Sequence, residues 1–186
     1  EMPYSAIERE VAEKNGAEQH DPLIGCYTHI CLERALNDAI RSRSYWGGAT
    51  TALLAYLFEQ GHIDAALLTD KAHDLFYCSH AKPRVAASPA DAVACAFTKP
   101  TVTPQLARLP IAGRSVAVVG TSCHLEAIRK AQYLADHGTV AKERCQELTG
   151  NISFLIGLNC FFANTYTGVD QQLQRLGLQE KDIKRF

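Results

Sequence analysis

The chain has 186 residues, 47% of them hydrophobic and 21% charged, with a formal net charge of −1. That is enough chain for one full domain with a sizeable core, and too little net charge to attract nucleic acid or an anionic membrane through a global field. No apolar run approaches the roughly 20 residues of a membrane helix, and the opening EMPYSAIEREVAEKNG has no signal-peptide core, so a cytoplasmic chain without a membrane span is predicted.

In chain order, residues 1–22 read as a polar arm with a short helix over Ser5–Lys14, and residues 23–186 as one domain. CYTHICLE, Cys26–Glu33, has the β-branched and aromatic content of an opening strand. After the loop RSRSYWGG, the run ATTALLAYLFEQG reads as an apolar helix ended by Gly61. A short buried strand follows at Asp64–Thr69, with His62 and Asp64 leading into it, and another is expected at Arg84–Ser88. Ser88-Pro89-Ala90-Asp91 is a helix start, with serine as cap and proline at the first helical position. Thr103-Pro104 repeats that device before QLARL.

The plainest strand is SVAVVG, and the plainest amphipathic helix is Cys123–Asp136, with Leu125, Ile128 and Leu134 on its apolar side. NISFLIGLN, Asn151–Asn159, is a near-continuous apolar strand, as expected where both sheet faces are covered. VDQQLQRLG is a helix stopped by Gly177, and DIKRF reads as a strand just beginning, which predicts a chain incomplete at its C-terminus. Strands alternating with helices predict an α/β fold, with a mainly parallel or mixed sheet and helices on both faces.

Seven cysteines without a disulfide rhythm, and with no CxxC pair, point to reduced thiols and against a self-contained zinc site. Cys26, Cys31, Cys78, Cys95 and Cys145 read as small core residues. Cys123 is different, because a strand-to-helix junction exposes a thiol and favours its thiolate. Cys160 falls just after the next strand, open to a ligand role or a core role. If the intervening helix is a crossover, the two strands are parallel and their C-terminal ends share one sheet edge, where open α/β folds bind ligands. Neighbouring strands lie about 5 Å apart and next-but-one strands about 10 Å, so either arrangement lets two thiolates reach one iron–sulfur cluster. Gly47-Gly48 opens a helix towards the same edge, where bare backbone N–H groups can approach a phosphate or a flat ring. His124 reads as a satisfied helix-start residue. Trp46 either packs over its loop or stacks on a ring, and Lys99 is either solvated or placed to meet a phosphate.

Four stretches in order resemble the coenzyme F420 hydrogenase/dehydrogenase beta-subunit family: WGGATTALLAYLFEQGHIDAALLTD, FTKP, GTSCHLEAIRK and IGLNCFF. The resemblance runs from about Tyr27 to Phe186. It implies a flavoprotein oxidoreductase carrying FAD and a 4Fe-4S cluster, moving electrons between coenzyme F420 or a related ring substrate and a partner subunit. Trp46, Gly47, Gly48, Ala49, Thr50 and Thr121 would then line the flavin, with Lys99 near its phosphates or the substrate's. Cys123 and Cys160 would be cluster ligands, with others expected beyond the end of this chain, and an oligomer is left open. Trp46 stands where the family has serine, Pro100 where it often has tyrosine, and Ser122 where it has proline. Two other readings compete. One is a hydrolase or transferase with Cys123 as nucleophile and His80 or His29 as a distant base; the other is a cofactor-free subunit that keeps the fold.

Overall fold

Val116 and Val118 point to one side of a central strand, Ala117 and Val119 to the other, and both sides are buried. The computed structural model that shows this describes residues 4–44, 46–70, 82–95, 112–138, 140–159, 166–179 and 182. In chain order its elements are α1 (Tyr4–Lys14), β1 (Gln19–Asp21), β2 (Gly25–Tyr27), α2 (Asp38–Ser42), a 3-10 turn (Trp46–Gly48) and α3 (Ala49–Glu59). Then come β3 (Ala65–Asp70), β4 (Lys82–Ala86), α4 (Pro89–Ala94), β5 (Val116–Thr121), α5 (Ser122–His137), α6 (Lys142–Thr149), β6 (Ile152–Leu158) and α7 (Tyr166–Arg175).

The main sheet has the order β4-β3-β5-β6, with β3, β5 and β6 parallel and β4 antiparallel to β3. It is the α/β fold with a mixed sheet that the sequence predicts. One face carries Leu54 and Leu57 of α3 and Ala92 of α4 against Ala66, Leu68, Ala117 and Val119. The other carries Ile128 of α5 against Ala65, Leu67, Val116, Val118 and Ile152. Helices therefore cover both faces of β3 and β5, which read as apolar runs for that reason, whereas β6, expected to be covered on both faces, buries only Ile152 because it lies at the sheet margin.

The N-terminal ends of the strands are fastened by side chains. Ser115 N donates to Asp64 Oδ2 at 2.9 Å, and Ser115 Oγ donates to the His62 carbonyl at 2.9 Å. Ser115 Oγ also meets Ser153 Oγ at 2.8 Å. Ser153 is the extra residue where the β5–β6 register shifts, since Val116 pairs with Ile152 and Ala117 with Phe154.

One expectation needs correction. The opening strand at Cys26–Glu33 stops at Tyr27 and belongs to a separate antiparallel hairpin with β1. Residues 28–37 run on without regular structure, and β propensity without a partner strand does not make a ladder. The polar arm carries its expected short helix as α1, and it is tied down. Lys14 Nζ lies 3.3 Å from Asp136 Oδ2 and Glu10 Oε1 lies 3.2 Å from His137 Nε2, so α1 docks on the last turn of α5. These pairs are exposed and contribute at most about 1 kcal/mol each. The expected helix start at Thr103-Pro104 and the expected strand DIKRF lie outside the described residues, apart from Asp182.

Candidate functional site

β3 ends at Asp70, β5 at Thr121 and β6 at Leu158, so three parallel strands finish on one edge. α3 joins β3 through a short connection and packs back along it, which places the start of α3 towards that same edge. The Gly47-Gly48 turn and the β5–α5 junction thereby flank one end of the sheet, where open α/β folds bind their ligands.

Gly47 and Gly48 both have left-handed backbone, with φ of +85° and +74°. The carbonyl of Gly47 accepts from Ala35 N at 2.8 Å, which anchors the irregular segment before it. Much of the need for glycine is internal. A Cβ on Gly47 would sit 3.3 Å from Arg34 Cβ, and one on Gly48 would sit 3.1 Å from Ser44 Cβ and Oγ. Gly48 is the N-cap of α3 and gives no side-chain cap, so first-turn N–H groups at Ala49 and Thr50 have no side-chain acceptor from the cap. That donor set suits a diphosphate or another anion.

At the second junction the strand SVAVVG becomes a helix at Ser122, again without a side-chain cap. Thr121 holds the capping position, yet its Oγ1 lies 3.2 Å from Cys123 Sγ. Cys123 is exposed on the first turn of α5. An exposed sulfur with a hydroxyl partner at a helix N-terminus fits one ligand of a thiolate-held cluster. Among the described residues no three His, Cys, Asp or Glu side chains gather as a metal site. Thr121 pairs with Leu158 across adjacent parallel strands. Cys123 follows Thr121 by two residues, and in the sequence Cys160 follows Leu158 by the same two.

His124 is not the satisfied residue the sequence predicts. Its Nδ1 is buried without a hydrogen-bond partner among the described residues, and burial holds the imidazole below its usual range. The reason is its position, pressed over Gly120. Among the other cysteines, Cys95 is buried and Cys26 and Cys145 are half-buried. Cys31 is exposed, contrary to the core reading, because its segment leaves the sheet after Tyr27. Cys31 Sγ donates to Glu33 Oε1 at 3.1 Å, and that carboxylate raises the thiol above its usual range. Cys78, Cys160, Lys99 and Pro100 lie outside the described residues, as does the side chain of Trp46.

Sequence reasoning passed over an ion-pair cluster beside this edge. Arg84 donates to Asp70 Oδ2 at 3.1 Å, at the end of β3, and to Asp91 Oδ1 at 2.9 Å. Asp91 also accepts from Ala87 N and Ser88 Oγ, and these hydrogen bonds hold its carboxyl below the usual carboxylate range. The signal was present in the predicted Ser88 cap, which accepts from Asp91 N. The cluster braces β3, β4 and α4 where the edge begins.

The comparisons with known proteins agree with one another. The family description "Coenzyme F420 hydrogenase/dehydrogenase, beta subunit N-term" matches residues 32–110, and its companion for the C-terminal part of the same beta subunit matches residues 113–186. The coenzyme F420 hydrogenase subunit beta of Methanosarcina barkeri is 28% identical over 145 residues, covering 75% of this chain and 46% of that protein. The subunit of the same name from Methanothermobacter thermautotrophicus is 25% identical over 170 residues, 88% of this chain and 57% of that one. The coenzyme F420-dependent sulfite reductase of Methanocaldococcus jannaschii is 28% identical over 148 residues, 75% of this chain and 23% of that protein. A chain in a xenon-derivatized structure of the F420-reducing NiFe hydrogenase complex from Methanosarcina barkeri superposes with a TM-score of 0.69 at 25% identity. That superposition covers 84% of this chain and 52% of that one. The chain thus spans about half the length of the hydrogenase subunits it matches.

Proposed function

The chain belongs to the coenzyme F420 hydrogenase/dehydrogenase beta-subunit family, and from that premise we propose that it is an oxidoreductase subunit. It passes electrons between coenzyme F420, or a related ring substrate, and a partner subunit through FAD and a 4Fe-4S cluster. The observation that carries the reading is the exposed Cys123 thiol, two residues beyond the end of β5 on the edge shared with β6. Cys160, two residues beyond the register partner of Thr121 in the sequence, supplies the second thiolate. Two thiolates do not complete a four-cysteine cluster, so further ligands are needed.

Each side of the edge has its own task. On the α3 side, Gly47 and Gly48 keep the backbone bare, and the first-turn N–H groups of Ala49 and Thr50 bind the negative charge of the flavin diphosphate. Lys99 would add a cation near those phosphates or the substrate's, and the Trp46 ring would stack on a flat ring system. On the α5 side, Thr121 contributes its hydroxyl beside Cys123 Sγ, which fixes the sulfur. When bound, the flavin couples two-electron hydride chemistry to one-electron transfer. A nucleophilic role for Cys123 has no such support, because among the described residues its sulfur has Thr121 as its hydrogen-bond partner and no histidine.

The test is an ultraviolet–visible spectrum of anaerobically purified protein, before and after dithionite, with iron and flavin analysis. Flavin bands over a bleachable iron–sulfur shoulder are expected, with iron lost in Cys123→Ser. Colourless protein that also refuses reconstitution with FAD and iron, or Cys123→Ser with unchanged iron, overturns the reading.

A further inference from the structure

Gly120 and Gly157 are register partners on the adjacent strands β5 and β6, and together they leave a bare strip two strands wide. The first turn of α5 is seated on that strip. A Cβ on Gly120 would lie 3.2 Å from His124 Cβ and 3.5 Å from Leu125 Cδ2, and one on Gly157 would lie 3.2 Å from Leu125 Cδ1. Leu125 therefore lies across the pair with one methyl over each glycine. Gly120 is not among the glycines with positive φ, so backbone freedom does not explain it, and space does. His124 Nδ1 is buried in the same seat with no partner among the described residues. Since leaving a buried polar atom unpaired is unfavourable, shape rather than a hydrogen bond from His124 sets how close the helix comes.

We propose that Gly120 is a positioning residue for Cys123: with no side chain there, the first turn of α5 settles close enough to β5 for Thr121 Oγ1 to reach the Cys123 sulfur. The two glycines are not equivalent. The atom facing Gly120 is the Cβ of His124, fixed to the helix backbone, so a methyl at 120 must lift the turn by a few tenths of an ångström. The atom facing Gly157 is the end of a leucine side chain, which can turn aside. The placement of the sulfur bears on cluster binding, and in that respect the proposal rests on the function argued above.

The experiment measures the alkylation rate of Cys123 by iodoacetamide in iron-free full chain, resolved from the other cysteines by peptide mass spectrometry. Thr121→Val removes the hydroxyl without lifting the helix. It is expected to shift the rate by about threefold, the scale of one modest hydrogen bond. Gly120→Ala is expected to shift it in the same direction by a similar factor, with no further shift in the double variant. Gly120→Ala/His124→Gly removes the clash and is expected to return to the wild-type rate, and Gly157→Ala to stay there. In the iron-loaded protein, Gly120→Ala is expected to alter the cluster's reduction potential and the rescue pair to restore it. A wild-type alkylation rate in Gly120→Ala, or a shift that adds to that of Thr121→Val, overturns the proposal. If Gly120→Ala does not fold, a wild-type rate in Thr121→Val does the same. Because the thiol assay needs no iron, failure of the protein to take up a cluster counts against the proposed function alone.

Discussion

Replacing Gly48 by alanine tests whether the turn before α3 is held by crowding as well as by backbone shape. The left-handed φ of +74° costs an L-residue about 1–2 kcal/mol. The new methyl would also meet Ser44 Cβ and Oγ at 3.1 Å and Ile40 Cγ2 at 3.3 Å. Ser44 is buried and its Oγ donates to the Ile40 carbonyl at 2.8 Å, so it cannot swing away without losing that bond. Overpacking of this kind costs about 1–3 kcal/mol, for a total of about 2–5 kcal/mol. Gly61 is the control. It has φ of +68° and nothing within 4 Å of where a Cβ would stand, so Gly61→Ala carries the backbone cost alone, about 1–2 kcal/mol. Urea unfolding followed by circular dichroism gives both differences, with equal m-values required before they are compared. Trp46, the chain's single tryptophan, reports the same turn by fluorescence. Equal midpoints for the two variants would refute the steric part of the reasoning.

Leu67 is 1% exposed on the central part of the sheet, and Leu67→Ala is expected to destabilise by about 2–5 kcal/mol in calorimetry; a loss below about 1 kcal/mol would mean that the face repacks around the deletion. Native protein exposed to iodoacetamide is expected to label at Cys31 and Cys123 well before Cys95, and early labelling of Cys95 would contradict its buried position. Burial, with Asp70 nearby, pushes the Cys95 thiol up to about 11. Its neutral form therefore contributes stability below the ordinary thiol value of about 8.5, which is lost as pH rises further, and Cys95→Ala should flatten that alkaline loss.

The order of apolar runs and caps made the sheet legible. Valines of SVAVVG, the Ser88-Pro89 start and the stops at Gly61 and Gly177 all act locally, so each could be read without knowing its neighbours. Elements that depend on tertiary partners are harder to read. α6 (KERCQELT) is mostly polar and carries no apolar stripe to announce it, although it packs against α5. α2 is five residues long, and its one local signal is Asn37, whose side chain caps Ala39 and Ile40. Cys31 departs from the core reading because cysteine is usually buried, whereas its exposure follows from where β2 stops. At the site, Cys123 could be placed from the strand-to-helix junction alone. Its Thr121 partner and the seat of His124 on Gly120 could not, because they arise from the approach of a helix to two strands at once.

The bonds radiating from Ser115 to His62, Asp64 and Ser153 sew the hem of the sheet opposite the candidate site. A fabric stitched along a single margin keeps the spacing of its threads while the opposite margin is trimmed, lengthened or embroidered. Loops hung from the opposite margin can therefore be exchanged without re-registering β3, β5 and β6, and a change at Ser115 would be felt by whatever is attached at the far side. Diversification of such a chain would then be a matter of replacing trimmings, with the weave left as it is.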